Sequence, residues 1–149
     1  MDGIQAARGD SGCLFCKMDG ERLDDLNRNG LQILQKEKGF RFGTDAVLLA
    51  DFAAAKPGDR VADLGAGGGI LSILMADAEP LAVFDAVEWQ EDMCDMACRS
   101  VLGNNLQERI NVRALDVRHA PRILGHAGHT LVVCNPPYHP EGTAPRSPE

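Results

Sequence analysis

Val61-Ala62-Asp63-Leu64-Gly65-Ala66-Gly67-Gly68-Gly69 decides how this chain must be read. An apolar strand runs straight into a glycine turn, and Ile70 then begins a helical run that Pro80 closes. Strand, tight turn and helix in that order open a βαβ unit. Residues 81–87 supply a second strand, which ends at Glu88. A helix over 91–103 starts with Glu91 and Asp92, acids suited to the positive helix end, and puts Met93, Met96, Ala97 and Val101 on one face. Residues 110–115 and 131–134 read as a third and fourth strand. Strands separated by helices imply a parallel sheet, so the expected class is α/β with about four parallel strands and flanking helices.

Upstream of the turn, residues 31–35 alternate as a strand, and 39–42 are expected to pair back on them as a short hairpin. Thr44 reads as a helix N-cap with Asp45 behind it, and Pro57-Gly58 stops the helix. Residues 1–20, rich in Gly and Asp without periodicity, read as a flexible N-terminal tail, leaving 21–149 as one folded unit.

Bulk properties narrow the function classes. At 149 residues the chain is one domain long. It has no run near the ~18 apolar residues of a membrane span, and the N-terminus shows no signal-peptide core. An odd count of five cysteines fits a reducing cytoplasm better than a disulfide framework. Cys13 and Cys16 form a lone CxxC with no second ligand pair, and Cys94 and Cys98 sit a helical turn apart, so no metal is expected. A net charge of −7 disfavours generic binding of a polyanion. The local exception is Lys36, Lys38 and Arg41, which could equally be a solvated turn.

Three features carry chemistry. Gly65, Gly67 and Gly69 follow the first parallel strand, where an α/β protein binds a nucleotide-like ligand. Their spacing is G-x-G-x-G, and Ile70 stands where the dinucleotide fingerprint wants glycine, which argues against an oxidoreductase. Glu88 ends the second strand and could accept hydrogen bonds from ribose hydroxyls; Trp89 could cover an adenine face or sit as a rim residue; Asp116, ending the third strand, could accept from an adenine amine. Last comes Asn135-Pro136-Pro137-Tyr138, a stiff exit from the fourth strand. An amine on an aromatic ring is a weak nucleophile because its lone pair is delocalised. The Asn135 side-chain oxygen and the Pro136 carbonyl could draw that nitrogen toward tetrahedral geometry, while Tyr138 stacks on the ring.

These residues resemble the class I S-adenosylmethionine-dependent methyltransferases, in the amino-methylating branch marked by NPPY. The run DDLNRNGLQILQKEKGFRFGTDAVLLADF, followed by VADLGAGGGILSILMA, VEWQEDMCDMA and VVCNPPY, resembles the bacterial tRNA1(Val) adenine-37 N6-methyltransferase family. The resemblance covers residues 21 to 140. It implies a Rossmann-like fold, S-adenosyl-L-methionine as cofactor and the N6 amine of an adenine in tRNA as target. It also implies that Phe42, Thr44 and Asp45 border the cofactor, residues 63–69 form its loop, Glu88 holds the ribose and Asp116 lies by the adenine. Residues 135–138 would hold the amine, making Asn135, Pro136, Pro137 and Tyr138 the catalytic set. Two departures stand out. The family continues well past NPPY, so the chain is expected to lack its C-terminal strands and leave the fourth strand as an open edge, suited to self-association. Where the family has an acid before the last strand, this chain has His129-Thr130. Methylation of protein glutamine or of DNA, and a non-catalytic cofactor-binding fragment, remain alternatives.

Overall fold

A computed structural model describes residues 15–39 and 42–137. The chain opens with an antiparallel hairpin, β1 (Glu21–Asp25) and β2 (Gln32–Lys36), followed by helix α1 (Thr44–Ala53). Then β3 (Arg60–Leu64), α2 (Ile70–Ala78), β4 (Val83–Glu88), α3 (Glu91–Gly103) and β5 (Ile110–Ala114) alternate. A 3-10 turn (Val117–His119) and the short α4 (Ala120–Leu124) lead to β6 (Leu131–Cys134). The four later strands form one parallel sheet in the order β5-β4-β3-β6. Strand order reverses beside β3, where the chain crosses to β4 on one side and later returns as β6 on the other. That switch point opens a crevice at the carboxyl ends of the strands.

The α/β class and the four parallel strands expected from the sequence are present. The hairpin needs correction. β2 pairs with residues 21–25, in the register Asp25↔Gln32 to Glu21↔Lys36, and not with 39–42; Phe40 and Arg41 lie outside the described residues. Asn27, Asn29 and Gly30 take positive φ in the connecting loop, with Leu31 N–H donating to the Arg28 carbonyl at 2.9 Å. Asn29-Gly30 was the signal for this turn, masked by the acidic strand ERLDD before it. Thr44 is also not the cap: Gly43 is the N-cap residue of α1, and Thr44 is its first helical residue.

Helix α2 is apolar all round, and Ile70, Leu71, Ile73, Leu74 and Met75 are all buried between the sheet and the neighbouring helices. Burial on that scale is worth about 1.5–3 kcal/mol for each large side chain, which makes α2 the central pin of the core. The hairpin is fastened to α3 by polar clasps. Leu34 N–H donates to Ser100 Oγ at 2.9 Å, and Asn104 accepts from Gln32 N–H at 3.0 Å while donating to its carbonyl at 2.7 Å. Arg99 forks onto Glu21 at 2.6 and 2.7 Å and reaches the Cys16 carbonyl at 2.6 Å. Phe15 lies over Gly103 so closely that a Cβ there would have no room.

At the opposite edge, β6 pairs with β3 alone among the described residues, and Val132 is 58% exposed. His129-Thr130 ties the start of this strand to the sheet. His129 Nε2 meets Asp85 Oδ2 at 2.8 Å, and Thr130 Oγ1 accepts from Arg60 N–H at 2.9 Å and donates to Asp59 at 2.7 Å.

Candidate active site

The crevice is built around the glycine turn. Gly65 and Ala66 N–H both donate to the Val87 carbonyl at 2.9 Å, strapping the turn to the end of β4. Gly67 has φ +55, a conformation costly for residues with a Cβ, and its N–H donates to Glu88 Oε2 at 2.9 Å. Gly69 is the N-cap residue of α2 and has φ +87, again a left-handed conformation that favours glycine, while a Cβ there would only touch Ala97 of α3 at 3.5 Å. The glycines are therefore called for by the backbone turn itself, through their positive φ.

Glu88 is buried, and its carboxylate accepts from three backbone amides: Gly67 on Oε2, Trp89 and Gln90 on Oε1, each at 2.9 Å. A carboxylate offers about four lone-pair positions, so one remains on Oε2 for a ligand hydroxyl without loss of a backbone bond. Asp63 is 1% exposed; its Oδ2 accepts from Ser72 Oγ at 2.9 Å, and its Oδ1 has no partner among the described residues. Burial pushes its carboxyl up to about 6, against the lowering effect of the Ser72 bonds, and the charge of Glu88 adds to the rise.

The other wall is made of side chains from distant segments. Ile33, Leu34, Gln35 and Lys36 of β2 line the crevice beside Phe42, Met93 and Asn135. Gln35 is buried, donates to Asp24 and accepts from Phe42 N–H at 3.3 Å, so it anchors the start of the 42–45 segment. Lys36 pairs with Asp92 in the first turn of α3, and that contact holds the Asp92 carboxyl below its usual range. Asn135, at the end of β6, donates from Nδ2 to Asp45 Oδ2 at 3.0 Å. Reading single segments missed Gln35, Lys36, Met93 and Ser72, because their places depend on which strands become neighbours; a polar Gln35 inside an apolar strand was the one local hint.

Of the expected site residues, Phe42, Asp63, Gly65, Gly67 and Asn135 line the crevice. Glu88 and Asp45 are tied to it through the bonds just given, and Gly69 closes the turn as the N-cap of α2. Trp89 is 56% exposed on the rim, Thr44 is exposed, and Pro136 and Pro137 are exposed beyond Asn135. Asp116 does not line the crevice. It accepts from Arg118 N–H at 2.9 Å and from the Arg118 guanidinium at 2.6 Å, which holds its carboxyl down to about 2. Tyr138 lies outside the described residues. Among the described residues, no three His, Cys, Asp or Glu gather as metal ligands, and no helix is long and apolar enough to cross a membrane. The Cys94 thiol donates to the Glu88 carbonyl at 3.1 Å, and burial pushes it up to about 12, so it is structural.

Residues 37–146 match the Methyltransferase small domain, a span that covers the glycine turn, Glu88 and Asn135 together. The chain belongs to that family. Within it, the chain is 39% identical over 101 residues to the tRNA1(Val) (adenine(37)-N6)-methyltransferase of Serratia proteamaculans, covering 66% of this chain and 38% of the relative. It is 34% identical over 111 residues to the protein of the same name from Erwinia tasmaniensis, covering 73% and 44%. The family member thus spans less than half the length of these curated relatives. Among solved structures, the SAM-dependent methyltransferase of Agrobacterium tumefaciens superposes with a TM-score of 0.59 at 16% identity, over 80% of this chain and 41% of that one. That likeness shows the methyltransferase fold.

Proposed function

We infer that this chain is the cofactor-binding portion of an S-adenosylmethionine-dependent methyltransferase that acts on the exocyclic N6 amine of an adenine in tRNA. The observation that carries the reading is Asn135, on the crevice wall at the end of β6, with its amide nitrogen already taken by Asp45. A carboxylate can only accept, so Nδ2 is the atom facing Asp45, and Oδ1 is left to accept from an incoming amine. That supports the role of Asn135 given by the NPPY resemblance, and the names of the curated relatives support tRNA adenine as target.

The residues present fit the cofactor. The open Oδ1 of buried Asp63 suits an ammonium donor, the open position on Glu88 suits a ribose hydroxyl, and Gly65 and Gly67 let a ligand approach the backbone. Exposed Trp89 offers its ring to a base at the rim. S-adenosylmethionine, when bound, supplies an electrophilic methyl group on sulfonium. The protein's part is to hold the amine: Asn135 Oδ1 and the Pro136 carbonyl accept its two N–H bonds, and the NPPY resemblance gives the stacking role to Tyr138, which lies outside the described residues. No strong base is needed before attack, because these bonds localise the nitrogen lone pair. The adenine must be out of its stack, which a single-stranded RNA loop offers at low cost. By the names of the curated relatives such an enzyme would work in the cytoplasm, and β6, which pairs on one side only among the described residues, would be the place to look for self-association.

The test offers the purified chain labelled cofactor with tRNA, release-factor protein and DNA in parallel. Label is expected on tRNA adenine; label on protein alone would sink this reading. Asn135→Ala is expected to lower turnover about 10²–10³-fold with cofactor affinity within about twofold.

A further inference from the structure

We propose that Asp45 is the positioning residue for Asn135, rather than a cofactor contact; this rests on the methyl-transfer role of Asn135 inferred above. The bond from Asn135 Nδ2 to Asp45 Oδ2 is 3.0 Å long and joins residues 90 positions apart. It links the first turn of α1, which follows the crevice residue Phe42, to the end of β6. An asparagine at a strand end can otherwise rotate about χ2 and exchange its oxygen for its nitrogen, which would offer a donor to a target that needs an acceptor. The carboxylate forbids that exchange, because turning Oδ1 toward it sets two acceptors face to face.

Gly43 supplies the second observation. It is the N-cap residue of α1 and has φ −108, so its backbone conformation does not call for glycine. A Cβ at this position would nevertheless lie 2.6 Å from Asp45 Oδ1. The space beside Gly43 is the seat of the Asp45 carboxylate, and filling it would move that carboxylate while leaving the helix intact. Asp45 also sits where an acid steadies a helix N-terminus. That role leaves the Asn135 amide unmoved, whereas positioning acts on it, and the difference makes them separable.

The experiment uses the full chain with Asp45→Ala, Asp45→Asn and Gly43→Ala. The side-chain NH₂ resonances of Asn135 are followed by nitrogen-edited NMR and assigned by their loss in Asn135→Ala; S-adenosylmethionine affinity is measured by calorimetry. In the wild type, one NH₂ proton is expected to be shifted and slow to exchange. Asp45→Ala and Gly43→Ala should abolish that protection with cofactor affinity within about twofold, and Asp45→Asn, whose amide can also donate and so admits the exchanged Asn135, should restore only part of it. Where methyl transfer to tRNA is measured, kcat should fall about tenfold to a hundredfold in the first two variants with little change in KM, as a displaced reacting group requires. Unchanged Asn135 resonances in Asp45→Ala overturn the proposal, as does weakened cofactor binding without any change at Asn135. A wild type that methylates no tRNA removes the function inferred for the chain, but the NMR comparison still decides whether Asp45 sets the Asn135 amide.

Discussion

The two walls of the crevice are held by different means. On the inner wall, β3, the glycine turn and β4 lie at the centre of the sheet, and backbone amides do the fastening: two to Val87 O and three to the Glu88 carboxylate. On the outer wall, β2, the 42–45 segment and Asn135 come from a separate hairpin, a helix start and an edge strand, joined by side chains such as Gln35, Arg99 and Asp45. The two bonds to Val87 O join backbone to backbone, and one carboxylate gathers the other three amides at once, so the inner wall is preset for a cofactor. Single side-chain bonds can be lost one at a time, so the outer wall is where alignment of the second substrate is most easily tuned or spoiled.

The largest effect that probes this contrast belongs to Asp63. Its folded carboxyl, raised to about 6 by burial, binds its proton more tightly than in the unfolded chain. The resulting stabilisation is fully present below the unfolded value and is lost as pH rises through 6, amounting to about 3 kcal/mol. Asp63→Asn should flatten stability between pH 4 and 7 in denaturant titrations without cofactor; a slope as steep as the wild type's would show that Asp63 is not its source. Next is the outer wall. Arg99→Ala leaves Glu21, whose carboxyl is held low mainly by its Arg99 bonds, without that partner, and should cost about 1.5–3 kcal/mol. Amide exchange should accelerate at Leu34 and its neighbours in β2, while Gly65 to Gly67 stay protected; equal acceleration in both walls would erase the distinction drawn between them. The smallest effect is Lys36→Ala. Its pair with Asp92 is solvent-exposed on both sides, so the midpoint of unfolding should move by less than about 1 kcal/mol.

How much of this was legible in sequence follows from the range of each interaction. The strand–turn–helix at residues 60–78 could be read because glycine's freedom at Gly67 and Gly69 and the apolar run of α2 are local signals. Glu88 could be placed at a strand end for the same reason. Asp116 was placed correctly after its strand, but its carboxylate is engaged two residues downstream by Arg118, a partner choice that composition does not announce. The hairpin was mispaired because β1 is short, acidic and half-exposed, so its alternation was weak beside the apolar run in β2.

The sequence by itself determined the class of fold and the kind of chemistry: a glycine turn after a parallel strand, an acid after the next strand, and an amide presented by prolines. Those features depend on φ angles, hydrophobic periodicity and residue chemistry, which act over a few positions. Only the tertiary structure decided which groups face one another. Asn135 meets Asp45 because β6 inserts beside β3, and β2 becomes a wall because Ser100 and Asn104 dock its hairpin on α3. Contacts between residues tens of positions apart are set by packing of whole elements, and no local pattern encodes them.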